Sequence, residues 1–433
     1  MDTVQEWTGR EARALRQALR MSVRGFAAYL GAGVRTVATW EANGAEVRPR
    51  PDWQAALDTA LRRADSGARA RFAAALARDR VPAIGTPTWD GAATDALAAF
   101  LAADRPLTPD AASRLSREWR SATPPQVAEV RAGRHIGARL ARLVAERADV
   151  LRHMDDHLGG GELYDLVRRE LRVTLDMVRE ASYTEEAGRT LLAAVGQLCQ
   201  LAGWVASDAG LHGAAERYYL GGLSAAHAAR DAPLAAHLLS SLSYQVANNG
   251  DPRDAVLLAT SAHEGAARTA TPVARALLLE RVAWAAARLG DSGAARRALD
   301  AVDDAYGDGT SGAEPAWAYW LDRDEIDVMA GRCRTELGDA HAAIALLAPP
   351  LERYDATRAR ELALYSSWLA EAHLGAGDVE AAAATATRAL RLAAGVDSAR
   401  SLARVRHLRA LLERYRDVRA VAEFAAEADA LPR

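Results

Sequence analysis

Trp204, Tyr244 and Trp284 stand 40 residues apart each time. Large π-systems repeated at one interval suit two uses: stacking between repeated units, or flooring a binding groove. Positions in the same phase continue as Arg332 and Glu371, and the polar residues nearest in register are Gln197, Gln200, Asp208, His237, Ser240, Asn248, Glu280, Arg288 and Glu325. Amide and charged groups above aromatic rings fit an extended peptide or a small amphipathic ligand. The expected effector groove is therefore built on Gln197, Gln200, Trp204, Asp208, His237, Tyr244, Asn248, Glu280, Trp284, Arg288 and Arg332.

Catalytic chemistry is poorly provided for. All 54 basic residues are Arg and none is Lys, which removes a P-loop lysine, a Schiff-base lysine and any lysine nucleophile. The ten His are scattered, apart from His153 and His157 with Asp155 and Asp156 between them. An i, i+4 pair of His can hold a metal, but the general-base Glu of such helices is absent here and the segment runs into Gly159-Gly160-Gly161. It reads as a charged helix end followed by a turn, with no metal site. Cys199 and Cys333 are too few for a disulfide framework or a zinc site and are expected to be buried and structural. No nucleophile elbow and no Gly-rich phosphate loop after a strand is present. The chain is expected not to be an enzyme and to need no cofactor.

The elements that must carry these residues read as helix throughout, because Ala, Leu, Arg and Glu dominate and no convincing period-2 run occurs. Pro and Gly cluster at 81–91, 104–110, 121–125, 158–161 and 307–315, which mark linkers or long turns. Three blocks result: 1–64, a helical connector over 65–190, and a helical array over 191–433. In the connector, helices are expected at 90–103, 108–120, 126–157 and 162–181.

In the first block, Thr8-Gly9-Arg10-Glu11 has the form of a capping box that opens a helix through Arg20. Ser22 heads a second short helix, Gly31-Ala32-Gly33 breaks it, and a third ends at Asn43-Gly44. Phe26, Ala27, Leu30, Val37 and Trp40 have the spacing that packs the second helix on the third. Two short helices around a tight turn form a helix-turn-helix.

The stretch ALRMSVRGFAAYLGAGVRTVATWEANG resembles the lambda-repressor-like (XRE) family of DNA-binding domains, and RPRPDWQAALDTAL then looks like its fourth and fifth helices. The resemblance implies that the third helix enters the major groove of double-stranded DNA. It makes Ser22, Val34, Arg35, Thr36, Thr39, Arg48 and Arg50 the DNA-binding set. Val34, Arg35 and Thr39 would face bases, while Thr36, Arg48 and Arg50 would meet phosphate. The sequence departs from the family pattern at Gly33, where a capping Ser or Thr is usual, at Val34, usually polar, and at Ala38, often Ser.

Beyond 191 a phrase recurs: GLHGAA, GDPRDA, GDSGAA, GDAHAA and GDVEAA. The final residues, Ala215, Ala255, Ala295, Ala343 and Ala382, lie 40, 40, 48 and 39 apart. Twelve residues before each stands a small residue: Gly203, Ser243, Ala283, Gly331 or Ala370. The array is similar to tetratricopeptide repeats, which place small residues where paired helices meet. That similarity implies an α-solenoid with a concave groove, and residues 398–430 look like its capping pair.

Charge is uneven as well. Residues 1–80 carry 14 Arg against 9 Asp and Glu, a net of +5 in a chain of net −3. A basic head on an acidic body points to nucleic acid at one end. No apolar run is expected to span a bilayer, and the charged N-terminus has no secretory h-region, so the expected location is the cytoplasm, away from membranes. The combined expectation is an all-α, one-component transcriptional regulator, acting as a homodimer, whose array dimerises or senses a peptide or small molecule. The alternative is a repeat-protein interaction scaffold whose head does not read DNA.

Overall fold

A computed structural model describes residues 4, 7–44, 47–77, 84–103, 107–108, 110–157, 160–307, 313–355, 357–396 and 398–430. The expected turns at 81–91, 104–110, 158–161 and 307–315 each lie partly outside these residues. The described chain is almost entirely helical and divides into two units: residues 1–80 with 106–111, and residues 81–105 with 112–433.

The first unit holds α1 (Gly9–Ala18), α2 (Val23–Leu30), α3 (Val34–Asn43), α4 (Pro51–Arg63) and α5 (Ser66–Ala77). The Thr8–Glu11 capping box starts α1, with the Thr8 amide donating to Glu11 Oε2 at 2.9 Å. Ser22 Oγ accepts the Gly25 amide at 3.1 Å and opens α2, which Gly31 ends in the left-handed conformation, φ 74°. Trp7, Leu15, Phe26, Val37, Leu57 and Phe72 are buried together. Gly9 is required where α1 crosses α3, since a Cβ there would fall 1.9 Å from the Trp40 carbonyl oxygen. The structure departs from expectation at the end of this unit. RPRPDWQAALDTAL supplies one helix, α4, with Pro51 at its first position, and the fifth helix is α5. The Arg71 guanidinium of α5 donates to the Ala18 carbonyl at 2.9 Å and Phe72 stacks on Trp7, so the unit runs past 64 to 80.

The second unit opens with β1 (Thr88–Trp89), α6 (Gly91–Ala102), α7 (Ala111–Ser121, its first residue grouped with the first unit), β2 (Gln126–Val127), α8 (Ala138–Asp155) and α9 (Gly160–Glu180). The expected helix over 126–157 starts only at Ala138. Residues 126–137 are spent on a short parallel pairing of β2 with β1 and on backbone bonds to residues 182–183. Pro124 and Pro125 favour this extended entry. Gly160 and Gly161 lie in the first turn of α9 rather than in a turn.

Six helix pairs follow: α10 (Glu185–Asp208) with α11 (His212–Ala228), α12 (Ala232–Asn249) with α13 (Pro252–Ala266), α14 (Pro272–Leu289) with α15 (Ser292–Gly307), α16 (Arg323–Glu336) with α17 (Ala340–Arg353), α18 (Ala359–Gly375) with α19 (Val379–Ala394), and α20 (Ala399–Leu412) with α21 (Arg419–Asp429). The repeated small residues sit where helices of a pair meet. A Cβ on Gly203 would fall 2.5 Å from the Tyr219 ring, and one on Gly331 2.6 Å from Leu347 Cγ. Ser243 Oγ donates to the Ala255 carbonyl at 2.8 Å. Ala215, Ala255, Ala295, Ala343 and Ala382 are all buried. Cys199 and Cys333 are buried too, and burial pushes the Cys333 thiol up to about 12. Contrary to expectation, α10 is long and apolar enough by composition to cross a bilayer, but 72% of its apolar window is buried within the protein.

Candidate functional site

Two surfaces carry the residues singled out by sequence. On α3, Val37 and Trp40 point into the core, while Val34, Arg35, Thr36 and Thr39 are exposed. Trp40 packs edge-on against Trp53 at 5.9 Å. Arg16 of α1 grips Glu41 through two bonds of 2.6 and 2.8 Å and donates to the Met21 carbonyl at 2.8 Å, which fixes α3 against the rest of the unit. Glu41 is the source of the raised Arg16 pKa. Gly33 gives α3 no side-chain cap, so the amides of its first turn are not answered by a capping oxygen. Thr39 Oγ1 donates to the Arg35 carbonyl at 2.8 Å. Ser22, Arg48 and Arg50 are exposed, and Arg50 is the residue before α4.

The second surface is a cavity of about 110 Å³ inside the second unit. Its residues come from α8, α10, α12, α14, α16, α18 and α20, from the segment 313–322 between α15 and α16, and from Tyr354 and Arg358 between α17 and α18. That segment supplies Trp317, Tyr319 and Trp320. Trp317 lies flat on His237, ring centroids 4.3 Å apart and 5° from parallel, and the Tyr319 hydroxyl donates to Asp156 at 2.6 Å. Behind them runs an aromatic ladder: Trp204 to Tyr244 at 5.9 Å, Tyr244 to Trp284 at 6.4 Å, and Trp284 to Trp368 at 5.3 Å. Arginines stand over its rings, Arg332 over Tyr244, Trp284 and Trp368, Arg281 over Tyr244, and Arg400 over Trp204.

Ion pairs span the cavity between distant parts of the chain. Arg360 bonds Asp155 twice with its Nη atoms, both at 3.0 Å, and also meets Glu361. Arg358 meets Asp156 at 3.1 Å. Asp208 is met by Arg400 at 3.1 Å and accepts the Ser398 hydroxyl at 3.0 Å. Arg152 pairs with Asp149. Burial raises the Asp155 carboxyl, and Arg360 opposes the shift. Glu325 accepts the hydroxyls of Tyr354 at 2.6 Å and Tyr365 at 2.7 Å, yet burial outweighs these bonds and lifts it to about 7. Burial likewise raises Glu280 to about 8, and neither of its oxygens has a hydrogen-bond partner among the described residues. Burial alone would raise the Tyr244 phenol, but Arg332, Arg400 and Arg281 bring it down to about 8. Burial, with Arg152 and Arg281 nearby, holds His237 well below the usual imidazole range, so the ring facing Trp317 is neutral.

Of the residues expected in a groove, Gln200, Trp204, His237, Tyr244 and Arg332 line this cavity, as does Glu325. The others are placed elsewhere. Gln197 lies on a separate depression with Glu185, Arg189 and Asp231. Asp208 is occupied by Arg400 and Ser398. Asn248 donates to the Tyr244 carbonyl, and Arg288 to the Ala247 carbonyl and Glu336. Glu280 and Trp284 are buried behind the cavity, Ser240 bonds the His237 carbonyl, and Glu371 is held by Arg404 and His407. The phase of the ladder was thus legible: its rings pack between pairs, and Trp204 and Tyr244 also border the cavity. What sequence reasoning missed is the cationic set Arg152, Arg281, Arg358, Arg360 and Arg400, together with the ring-bearing segment 317–320. One signal pointed there: the 48-residue interval, since repeat insertions tend to gather on one face. His153, read as part of a charged helix end, stacks on Tyr319 with ring centroids 4.2 Å apart.

Compared with known proteins, the chain matches no family model and no curated sequence.

Proposed function

We propose that the chain is a cytoplasmic transcription regulator that binds operator DNA through an XRE-type helix-turn-helix head and senses a small effector in a tetratricopeptide-like array. The supporting observation is the division of α3 into two faces. Val37 and Trp40 anchor it, Arg16–Glu41 locks it, and Val34, Arg35, Thr36 and Thr39 are left on the outside. An exposed Arg at the start of a helix can bond guanine in bidentate fashion or neutralise phosphate. The +5 charge of residues 1–80 suits a polyanionic partner. One such head supplies modest affinity, so the working form is a homodimer on two half-sites. The cavity then acts by favouring one DNA-binding geometry of that dimer over another.

Genome-wide mapping of bound DNA tests this reading, repeated with Arg35→Ala and Thr39→Ala. Both variants should lose specific sites and keep the helical content of the parent, because both side chains are exposed. Unchanged occupancy in both removes α3 as the reading helix.

A second reading is a protein-interaction scaffold whose head does not read DNA. The observation in its favour is the thin polar set of α3, where Thr39 Oγ1 is already engaged with the Arg35 carbonyl. A salt series separates the two. Phosphate contacts make the logarithm of DNA affinity fall linearly with the logarithm of salt concentration, whereas a scaffold has no such slope.

A further inference from the structure

Leu140, Leu143 and Val150 of α8 and Leu166 and Val173 of α9 are 39%, 46%, 61%, 40% and 38% exposed. They are five of the ten large apolar side chains that the described residues leave in solvent, and two consecutive helices carry them. The opposite sides of these helices, with Val144 and Leu151 on α8 and Leu163 and Val167 on α9, are already buried, and both helices pack on α10. One buried stripe suffices to hold a helix on its protein, so a second apolar stripe in water marks a face made to be covered.

The register of the two helices orders this face. Arg147 of α8 is paired with Glu170 of α9. The two residues stand nearly equally far from the break between the helices, so α8 and α9 run antiparallel with Arg147 level with Glu170. Leu143 then falls level with Val173, and Val150 with Leu166, about one turn to either side. Two aliphatic layers thus bracket one ion pair. Farther round, on the edges of α8 and α9 away from their common seam, lie Arg142 and Glu146 and, on α9, Arg172. All three are exposed and form no ion pair among the described residues.

We propose that this face joins two copies of the chain, α8 of each lying on α9 of the other as a four-helix bundle. A second copy is the occupant because the face is complementary to itself. With the two-fold axis along the seam between α8 and α9, Leu143 of one copy meets Val173 of the other, Val150 meets Leu166, and Arg147 meets Glu170. Glu146 comes opposite Arg172. An axis at right angles to the helices would instead set α8 on α8 and bring Arg147 against Arg147. The size also suffices. The 18 residues of α8 give a face about 27 Å long, and two helices side by side make it about 20 Å wide, so the two copies together cover roughly 1,000 Å², the lower bound for a specific interface. The proposal deepens the regulator reading by giving its homodimer an interface, and it rests on that reading only for the claim that dimerisation is coupled to DNA.

Sedimentation equilibrium of the full chain, without DNA, tests it. The parent should be a dimer at micromolar concentrations. Val150→Glu should raise the dissociation constant at least about 100-fold and leave the helical content unchanged, since Val150 is the most exposed of the five. Glu146→Arg and Arg172→Glu should each weaken dimerisation by about 10-fold, and the two together in one chain should restore it, because each reversed charge again meets its opposite across the two-fold. Within one copy these side chains lie on opposite edges of the helix pair, so restoration cannot come from an internal ion pair. A parent that stays monomeric overturns the proposal and leaves the face to a helix of another protein. A dimer unmoved by Val150→Glu overturns it as well, by placing the interface elsewhere. Weakening in both single variants without recovery in the double overturns the pairing of α8 with α9. Operator binding by Val150→Glu is measured separately. A monomer that binds operator as tightly as the parent refutes the coupling alone, and loss of the DNA reading leaves the sedimentation result standing.

Discussion

Glu280 is enclosed on all sides, has no hydrogen-bond partner among the described residues, and is raised by burial to about 8. The folded chain therefore keeps a proton that the unfolded chain has already released near neutral pH. Stability from this source is full at low pH and is lost as pH rises through about 8. Other groups act in neighbouring windows. Glu325, raised to about 7, adds to the same decline lower down. His237, held well below its usual value, makes stability rise with pH up to its ordinary range. Tyr244, brought down to about 8, makes stability rise from there toward its ordinary value. Between about pH 7 and about pH 8, Glu280 thus dominates, and Glu280→Gln should flatten the decline there. Urea unfolding at the two ends of that window reads the difference, and an identical slope in the variant would show that Glu280 is ionised in the folded chain.

At the scale of elements, most of the architecture was legible because small residues and caps leave local marks. The Thr8–Glu11 box, the Ser22 start, the Gly31 stop and the five in-phase Ala positions all fall where the sequence places them. What was not legible depends on partners far away in the chain. Residues 126–137 carry helix-compatible composition but pair with 88–89 and 182–183, and no local signal marks those partners. Likewise, nothing near Arg281 or Arg400 reveals that these helices converge on one cavity. Close approach between elements gives a direct test in the head. A methyl on Gly9 meets the Trp40 carbonyl, and backbone cannot yield as a flexible side chain can. Gly9→Ala should therefore cost about 1–3 kcal/mol, despite the better helix propensity of Ala. On the proposed regulator reading it should also weaken DNA binding by displacing α3. Thermal unfolding measures the first effect, and a variant as stable as the parent would mean that α1 and α3 sit farther apart than the Gly9–Trp40 distance states.

At the scale of the second unit, the ion pairs divide into two kinds that elementary electrostatics values differently. Arg391–Glu427 joins α19 to α21 at 2.7 Å, but its partners are 68% and 38% exposed, so water screens it. Such screened pairs contribute little to stability. Arg360–Asp155 joins α18 to α8 across 205 residues of sequence, with side chains only 6% and 9% exposed. Its formation returns little net energy, since both charges lose water, but removal of one partner strands the other. Arg360→Met should therefore cost roughly 3–5 kcal/mol, whereas Arg391→Met should leave stability close to that of the parent. The stranded Asp155 should then hold its proton more tightly, because burial already raises it and Arg360 is the main opposing charge. The deficit of Arg360→Met should accordingly shrink as pH falls and Asp155 becomes neutral. Denaturant unfolding of both variants at neutral and acidic pH separates the effects. Equal costs for the two substitutions would mean that water reaches the Arg360–Asp155 pair.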